Sequence, residues 1–385
     1  LEFDGEGRLW IGTQNGLSIF NQADNSWSNM YTENINCFPT NVITALEWDM
    51  FCEPEETMFI GTSQGMIYVS WEIGQFDTQG QNFTWSLNYG SECNPNTGLI
   101  KSILHNNNAV QVWAGTTDGL CVEGLVEKGD WVVNNTKTGF YSNNITSIKQ
   151  NSNNQMIGIG TMNGGLLTYN NEFNIYYSSN SAILDNTVLD LAFDQNNNII
   201  ICTPQAGLGI LTENESWIWL NTINSTLTTN SLRKVIVDNN NDLWIATLEN
   251  GLIHYTNNTF YNYNSENSNL PDNKINCLTF GPNNHLWLGT DTSGIIKINN
   301  PINFSPELLN TSTRVYPTIF NSNINIELAK NADIHIFNEK GQLITSHVFS
   351  SGSHIIDVSS YNPGIYLMLS RTNHTIETYK LLKYN

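Results

Sequence analysis

Three acidic residues, Asp118, Glu249 and Asp291, follow copies of one short motif in which an apolar run ends in Gly-Thr or Ala-Thr. Paired carboxylates at a suitable distance hydrolyse glycosidic bonds or bind calcium. Glu249 and Asp291 follow consecutive copies of the motif, so they form the best candidate pair for either role. Because the sequence does not fix their separation, an enzyme stays an open alternative.

Histidine chemistry receives no support from the spacing. The first 305 residues contain His105, His254 and His285. Two of them fall where turns at the end opposite to the carboxylates are expected, and His254 falls inside a strand. A histidine-based acid, base or metal site needs side chains that converge. We therefore expect no catalytic residue, no cofactor and no metal ligand.

The residues that follow each copy of the motif are instead rich in amides and hydroxyls. Such groups, with an exposed aromatic ring nearby, suit the recognition of a sugar or a peptide. The candidate ligand-binding residues are Gln14, Asn15, Gln64, Asp118, Asn163, Gln205, Glu249, Asn250 and Asp291, together with Tyr141 from a neighbouring loop.

The motif itself predicts the elements that would position these residues. Its seven copies end at Thr13, Thr62, Thr116, Thr161, Thr203, Thr247 and Thr290, and each is followed by a glycine. The spacing of 42 to 54 residues is typical of a β-propeller, in which each repeat is one four-stranded blade. The predicted fold is all-β: a seven-bladed β-propeller over residues 1–305, its first blade truncated at the N-terminus, followed by a small immunoglobulin-like antiparallel β-sandwich.

The sixth repeat shows the predicted blade most clearly. We expect strands at 231–237, 243–247, 251–255 and 259–263, each bounded by Asn, Asp or Gly. The cluster from Asp238 to Asp242 resembles the start of a calcium loop, but it lacks the required later Gly and Glu and is predicted to be a hairpin turn. The recurrent tryptophans are predicted to pack between blades: Trp10, Trp113, Trp244 and Trp287.

The repeat resembles a known family. The run Asp4 to Leu17, DGEGRLWIGTQNGL, is similar to the two-component regulator propeller repeat, and so is the lead-in Asn267 to Asn273, NSNLPDN. That family is best known as the periplasmic sensor of hybrid histidine kinases. The chain lacks the apolar run of about 18 residues and the kinase segments that a membrane-bound sensor kinase requires, so the resemblance implies the fold alone.

The last residues change character after a predicted linker at 306–313. Residues 314–385 alternate apolar and polar positions, as half-buried strands of a sandwich do. They resemble the C-terminal sorting domain (type A) of the type IX secretion system of Bacteroidetes, although the usual second proline after Tyr316-Pro317 is absent. The resemblance implies that the translocon and sorting machinery are partners and that the protein is secreted or attached to the outer-membrane surface. The landmark residues are Tyr316, Pro317, Gly341, Pro363, Gly364, Tyr366, Lys380 and Lys383.

Charge and cysteine content fit an exported passenger. The net charge of −20 disfavours nucleic acid and anionic surfaces, because phosphate binding needs clustered Lys and Arg. Cys52 and Cys93 lie in insertions of the second repeat and could form a disulfide, with Cys37 as a competing partner. The remaining three, Cys121, Cys202 and Cys277, are expected to be small core residues.

These observations favour a binding module for an extracellular glycan or protein. Two alternatives stay open at this stage: a polysaccharide lyase or glycosidase that uses the same face, and a scaffold for a surface assembly. An enzyme should show convergent carboxylates, a binder should show exposed aromatics beside amides, and a scaffold should show neither.

Overall fold

The structure is a computed structural model. It describes residues 1–30, 40–52, 55–72, 84–87, 99–106, 111–123, 131–268, 270–299, 314–316, 319–320, 322–328, 331–339, 341–371 and 376–383. Two compact units emerge, one of residues 1–262 with 272–301 and one of residues 263–271 with 302–385.

The larger unit is built from consecutive antiparallel sheets in which the strands follow one another in chain order. Blades 1 to 3 contain β1 (Glu2–Phe3), β2 (Leu9–Thr13), β3 (Gly16–Asn21), β4 (Ser26–Met30), β5 (Ile43–Cys52), β6 (Glu55–Thr62), β7 (Gly65–Glu72), β8 (Thr84–Leu87), β9 (Ile100–Asn106), β10 (Gln111–Thr116), β11 (Leu120–Glu123) and β12 (Trp131–Asn134). Blades 4 and 5 contain β13 (Ile145–Gln150), β14 (Ile157–Thr161), β15 (Leu166–Tyr169), β16 (Phe173–Tyr176), β17 (Asp190–Phe193), β18 (Ile199–Cys202), β19 (Leu208–Leu211) and β20 (Trp217–Leu220).

Blades 6 and 7 repeat the pattern. They contain β21 (Leu232–Val237), β22 (Leu243–Thr247), β23 (Leu252–Thr256), β24 (Thr259–Tyr263), β25 (Ile275–Phe280), β26 (Leu286–Thr290) and β27 (Ile295–Ile298). A short 3-10 helix, Pro282–Asn284, joins β25 to β26. The predicted all-β propeller is therefore confirmed, and within the described residues the sheet of blade 7 has three strands.

Three of the four recurrent tryptophans, Trp10, Trp113 and Trp287, pack against aromatic rings of a neighbouring blade, and Trp244 stacks on His254 of its own blade. Trp10, Trp113 and Trp244 are completely buried, and the Trp10 ring stacks on Trp71 of blade 2 with centroids 5.3 Å apart. Trp287 of blade 7 packs against Phe3 and Phe20 of blade 1 at 6.0 and 6.2 Å. Since large aromatic side chains bury the most apolar area per residue, they hold neighbouring blades together, and the last blade packs on the first through side chains.

The smaller unit contains a β-sandwich. Its strands are β28 (Arg314–Tyr316), β29 (Ile319–Phe320), β30 (Asn323–Leu328), β31 (Ala332–Asn338), β32 (Leu343–Phe349), β33 (Gly352–Asp357), β34 (Gly364–Arg371) and β35 (Ile376–Lys383). One sheet has the order β28-β30-β33 and the other β29-β35-β34-β31-β32. Alternating side chains such as Ile334, Ile336 and Met368 form its apolar core.

Candidate functional site

Each motif threonine closes the turn between the second and third strands of its blade. In all seven copies its hydroxyl donates a hydrogen bond of 2.7–2.9 Å to the carbonyl of the glycine that follows. That glycine has a positive φ in every blade. At Gly165 a Cβ atom would also lie 2.1 Å from the carbonyl oxygen of Tyr176, so both conformation and space require glycine.

These turns, with the loops that lead into the inner strands, form what we call the upper rim. The amide of the turn glycine donates to a loop carbonyl of the next blade: Gly16 to Asn41 at 2.6 Å, Gly165 to Asn186 at 2.7 Å and Gly251 to Asn273 at 2.8 Å. A second repeated contact caps the loops, where a side-chain oxygen accepts from the N–H two residues later; the caps are Thr40, Ser142, Asp185, Thr229 and Asp272. The backbone of the rim is thereby fixed.

The nine predicted turn residues are all exposed on the upper rim: Gln14, Asn15, Gln64, Asp118, Asn163, Gln205, Glu249, Asn250 and Asp291. Among the described residues, no hydrogen bond joins Glu249 to Asp291. The Asp291 carboxylate instead accepts hydrogen bonds from Lys274 at 3.0 Å and Asn276 at 3.3 Å. Their role as ligand-binding residues stays a prediction, and Asp291 is paired with Lys274 and Asn276 rather than with Glu249.

The environment of Asp291 keeps it ionised. Hydrogen bonds from Lys274 and Asn276, together with the positive charge of Lys274, lower the pKa of this carboxyl. A glycosidase needs one carboxyl whose pKa is raised, so that it can protonate the leaving oxygen. Asp291 is therefore suited to accepting hydrogen bonds rather than to donating a proton.

Tyr141 lies on the upper rim and has a partner that the sequence did not reveal. Its side chain is 52 % exposed and meets Tyr177 edge to face, with centroids 4.8 Å apart. The next residue, Ser142, donates to the Met162 carbonyl at 2.6 Å, which holds the loop beside Asn163. We call Tyr141, Tyr177 and Asn163 the tyrosine patch. Tyr177 was missed because it directly follows an outer strand and its ring looks like a strand residue.

The amide of the tyrosine patch is also oriented. Asn163 has a φ of 62°, and its side-chain oxygen accepts from the buried Thr187 hydroxyl at 2.9 Å. Its backbone N–H donates to the same hydroxyl at 3.2 Å. Since the oxygen is engaged, the NH2 group of Asn163 is the end presented to a ligand.

A second set of charged residues occupies the inner strands. Glu2, Glu47 and Lys149 pair with Trp10, Phe59 and Gly158 of the second strands, which is the same register position in blades 1, 2 and 4. Because inner strands surround the central channel of a propeller, these three side chains lie at one level of the channel. The sequence reading missed them, although charged residues in short apolar first strands were a usable signal.

Burial and mutual charge shift the pKa values of this channel cluster. Burial raises the pKa of Glu47 to about 8, the charge of Lys149 opposes the rise and that of Glu2 adds to it. Burial also raises the pKa of Glu2. For Lys149 burial alone would lower the pKa, but the carboxylates of Glu47, Asp190 and Glu2 raise it overall. The channel therefore holds one ammonium among several carboxyls. These side chains line the channel and keep contact with solvent, because Lys149 is exposed and Glu2 and Glu47 are half-buried.

Asp190 joins three blades at their inner strands. Its carboxylate accepts from the Ser147 hydroxyl of blade 4 at 2.6 Å, and from the Val235 N–H and the Lys234 ammonium of blade 6 at 3.1 and 3.2 Å. Ser102 of blade 3 has the same role toward blade 4, because its hydroxyl accepts the Ile148 N–H at 2.9 Å. The inner strand of each blade has an edge that no further strand pairs with. Asp190 and Ser102 accept hydrogen bonds from backbone amides on this edge of the neighbouring blade.

The cysteine expectations are partly wrong. Cys202 and Cys277 are free, as expected, and Cys202 is buried. Cys121, which was expected to be a free core residue, is disulfide-bonded. Its partner is not among the side chains that the structure describes. The proposed pair of Cys52 and Cys93 also lies outside them, because Cys93 and the Cys52 side chain are not described.

The landmark residues of the C-terminal sandwich have structural positions that explain their types. Gly341 closes the β31–β32 hairpin with a φ of 74°, and Gly364 begins β34 opposite Lys383. Tyr366 is buried and its hydroxyl donates to the Asn362 carbonyl at 2.8 Å. Of the others, Tyr316 ends β28, Pro363 and Lys380 are exposed, Lys383 is buried, and Pro317 lies outside the described residues.

Family comparison agrees with both regions of the chain. Residues 314–384 match the model of the secretion system C-terminal sorting domain, and residues 269–292 match that of the two component regulator propeller. The chain therefore combines a β-propeller, of which residues 269–292 match the regulator propeller model, with a C-terminal region that matches a secretion sorting domain. The protein is therefore secreted or attached to the cell surface, and its sorting domain implies an interaction with the secretion machinery.

Solved structures share the propeller fold. The extracellular domain of the putative hybrid two component system BT3049 from B. thetaiotaomicron matches with a TM-score of 0.63 and 17 % identity, over 100 % of this chain and 54 % of that one. PorZ, a surface component of the type-IX secretion system of Porphyromonas gingivalis, matches with a TM-score of 0.55 and 15 % identity, over 100 % and 59 %. The chain thus spans little more than half of the length of these two neighbours.

A third neighbour, YCF48 bound to D1 peptide, has a TM-score of 0.54 and 11 % identity, over 80 % of this chain and 93 % of that one. No curated protein sequence matches the chain. Within the described residues, no helix has the length and hydropathy needed to span a membrane.

Proposed function

We propose that this propeller is a non-catalytic binding module that the type IX secretion system exports, and that its upper rim holds an extracellular glycan. The observation that supports this most is the tyrosine patch, where the exposed ring of Tyr141 packs on the half-buried ring of Tyr177 and Asn163 supplies an oriented amide. A tyrosine ring offers an apolar face for the C–H side of a sugar ring and a hydroxyl for hydrogen bonding, and an amide NH2 group donates to sugar hydroxyls.

The fixed backbone of the rim adds to this proposal. The loop and the turn that carry Tyr141 and Asn163 are joined by the Ser142–Met162 hydrogen bond, and Asn163 is held by Thr187. A ligand therefore meets side chains whose supports are already ordered. Preorganisation lowers the entropy that binding must overcome.

The net charge of −20 guides the choice of glycan. Acidic polymers such as alginate or pectin are repelled unless a cation bridges them. Neutral plant and algal polysaccharides are consequently the first ligands to test, and calcium is the condition to vary.

A protein segment is the second candidate ligand. Leu184 is 60 % exposed and holds, in the loop before blade 5, the position that Tyr141 holds before blade 4. An exposed leucine one blade away from the tyrosine patch suits an extended peptide better than a polar sugar. One structural neighbour, YCF48, has a bound peptide.

The test is native affinity electrophoresis of the full chain through gels that contain single neutral polysaccharides, with and without calcium. We expect retardation with the polymer length unchanged. Tyr141→Ala and Tyr177→Ala should each abolish most of the retardation. Tyr261→Ala is the matched control, because Tyr261 is 44 % exposed on the outer strand of blade 6.

Three outcomes would change the proposal. Shortened polymer would show that the module is an enzyme. Retardation that survives Tyr141→Ala and Tyr177→Ala would place the site elsewhere on the protein. No retardation with any polymer, followed by selection of peptides from a displayed library, would favour the protein ligand.

A further inference from the structure

The turn between the first and second strands of blade 6 brings two carboxylates and an imidazole into one corner. Asp238 accepts the backbone N–H groups of Asn240 and Asp242 at 2.8 and 3.0 Å, and the Trp244 indole N–H at 3.2 Å. His254 on β23 is the cross-strand partner of Trp244, and the two rings stack with centroids 4.0 Å apart. We call Asp238, Asp242 and His254 the lower corner of blade 6.

The three side chains are close enough to share one ion. His254 Nε2 lies 3.3 Å from Asp242 Oδ2, and one donor atom from each of the three residues lies within 4.8 Å of the others. Asp238 is 5 % exposed and His254 7 % exposed, while the Asp242 side chain at 22 % keeps one side open to solvent. The corner is thus enclosed, but an ion can reach it.

Equivalent corners in other blades are built differently. In blade 1 Asp4 also accepts a Trp10 indole N–H, but the fourth residue after it is Arg8, which donates to Asp4. In blade 5 that fourth residue is Asn198, which donates to Asp194 at 2.8 Å.

The place of His254 also has a different occupant in these blades. The cross-strand register puts Ile19 there in blade 1 and Ile210 in blade 5. Compared with blades 1 and 5, blade 6 thus has a carboxylate in place of a hydrogen-bond donor, and an imidazole in place of an apolar side chain, at the same corner. Among the described residues, no Lys or Arg forms an ion pair with Asp238 or Asp242.

We propose that the lower corner of blade 6 binds a divalent cation of the zinc class. Imidazole nitrogens and carboxylate oxygens are both Zn²⁺ ligands, and sites with three protein ligands take water as the fourth. The 3.3 Å between His254 Nε2 and Asp242 Oδ2 corresponds to an edge of a tetrahedron whose ligands lie about 2.0–2.1 Å from the metal. Calcium fits less well, because it takes about six to eight oxygen ligands.

The bound ion would act on the blade rather than on the ligand of the upper rim. It joins the first turn of blade 6, which carries Asp238 and Asp242, to β23, which carries His254. Because the corner lies at the end of the blade opposite to the motif turns, the proposal is independent of the glycan proposal. Its expected consequence is a protein that is more stable with zinc than without it.

The test uses the full chain after EDTA treatment and dialysis. Co²⁺ serves as a visible-absorption probe and Zn²⁺ as a competitor, and melting temperatures are recorded with and without Zn²⁺. We expect one saturable Co²⁺ site, displacement by Zn²⁺ and a rise in melting temperature. Millimolar Ca²⁺ should produce neither effect.

Two variants introduce residues that sibling blades already carry at these positions: Asp242→Asn, as in blade 5, and His254→Ile, as in blades 1 and 5. Each should fold, and each should weaken Co²⁺ binding at least about tenfold and remove the zinc-dependent stabilisation. Asp194→Asn, at the equivalent turn of blade 5, is the matched control and should bind Co²⁺ as the parent does. Unchanged binding in the two variants, no saturable Co²⁺ site in the parent, or equal binding of Ca²⁺ would overturn the proposal.

Discussion

The turns between the first and second strands of blades 1 and 6 have the same pattern of backbone hydrogen bonds, but their buried carboxylates have different partners. In blade 1 the guanidinium of Arg8 donates to Asp4 at 2.6 Å, to Glu6 and to Glu56 of blade 2 at 3.4 Å, and it lies over the Trp71 ring. In blade 6 a carboxylate and an imidazole take the places of Arg8 and Ile19. The Asx turn and the indole hydrogen bond therefore define the hairpin, and the compensation of charge is a separate property.

The largest expected effect comes from removing the built-in cation of blade 1. The side chains of Arg8, Asp4 and Glu56 are 4 %, 0 % and 2 % exposed. Arg8→Met would leave carboxylates enclosed without a partner, so we expect the free energy of unfolding to fall by about 3–5 kcal/mol. Urea denaturation measures this difference.

Lys274→Met is the matched control for Arg8→Met. Lys274 and Asp291 form a pair whose side chains are 45 % and 41 % exposed, so solvent already screens it. We expect almost no change in the unfolding midpoint. A similar loss of stability in Arg8→Met and Lys274→Met would contradict the view that burial makes the Arg8 ion pairs stabilising.

A smaller effect on stability is expected when the equivalent aspartate of each turn, Asp4 in blade 1 or Asp238 in blade 6, is replaced. In EDTA, Asp4→Asn should lower the free energy of unfolding by about 1.5–3 kcal/mol, because a charge-assisted hydrogen bond to Arg8 is lost. Asp238→Asn should cost less than half of that, because it also relieves the repulsion by Asp242. Added Zn²⁺ should enlarge the cost of Asp238→Asn alone. Equal losses of unfolding free energy for Asp4→Asn and Asp238→Asn in EDTA would show that another group compensates the charge of Asp238 in blade 6.

The channel cluster of Glu2, Glu47 and Lys149 extends the comparison to charged side chains that share one ammonium and line the channel. The pKa of Glu47 is about 8 in the folded protein, against an ordinary value of 4.5. Below about pH 4.5 both states are protonated; between pH 4.5 and 8 the unfolded state loses the proton and the folded state keeps it. Folded stability therefore declines as the pH rises through this window, and Glu47→Gln removes that decline.

The measurement is the melting temperature of the parent and of Glu47→Gln at pH 5, 6, 7 and 8. We expect the melting temperature of Glu47→Gln to rise relative to that of the parent as the pH increases from 5 to 8. Asp291→Asn is the control, because the pKa of Asp291 is lowered and its charge does not change within this range. A difference between the parent and Glu47→Gln that is independent of pH would show that Glu47 is ionised throughout.

The sequence predicted the propeller and its upper rim because local geometry imposes both. The motif Thr and its following Gly recur since each turn needs a hydroxyl donor and a positive φ, and the turn residues between them are exposed as a result. The strands of blade 6 were placed within one residue, for example Leu232–Val237 against the expected 231–237. Local requirements of this kind are visible without knowledge of the neighbours.

The missed features depend on register across distant segments. The role of Lys149 depends on carboxylates in three other blades, and that of His254 on its pairing with Trp244 in the next strand. Neither relation has a fixed sequence spacing. Cys121 was misjudged for the same reason, because a disulfide requires a Cα separation and direction that composition does not report.

The glycine amides of the upper rim also carry information about the order in which blades associate. Gly16, Gly165 and Gly251 each donate to a carbonyl that belongs to the following blade, so folding of their own blade does not protect these amides from solvent. Their exchange with deuterium reports whether the neighbour has docked, whereas amides within the sheets report the integrity of the blade itself. These backbone amides can therefore distinguish blades that have folded separately from blades that have docked on the next blade in the chain.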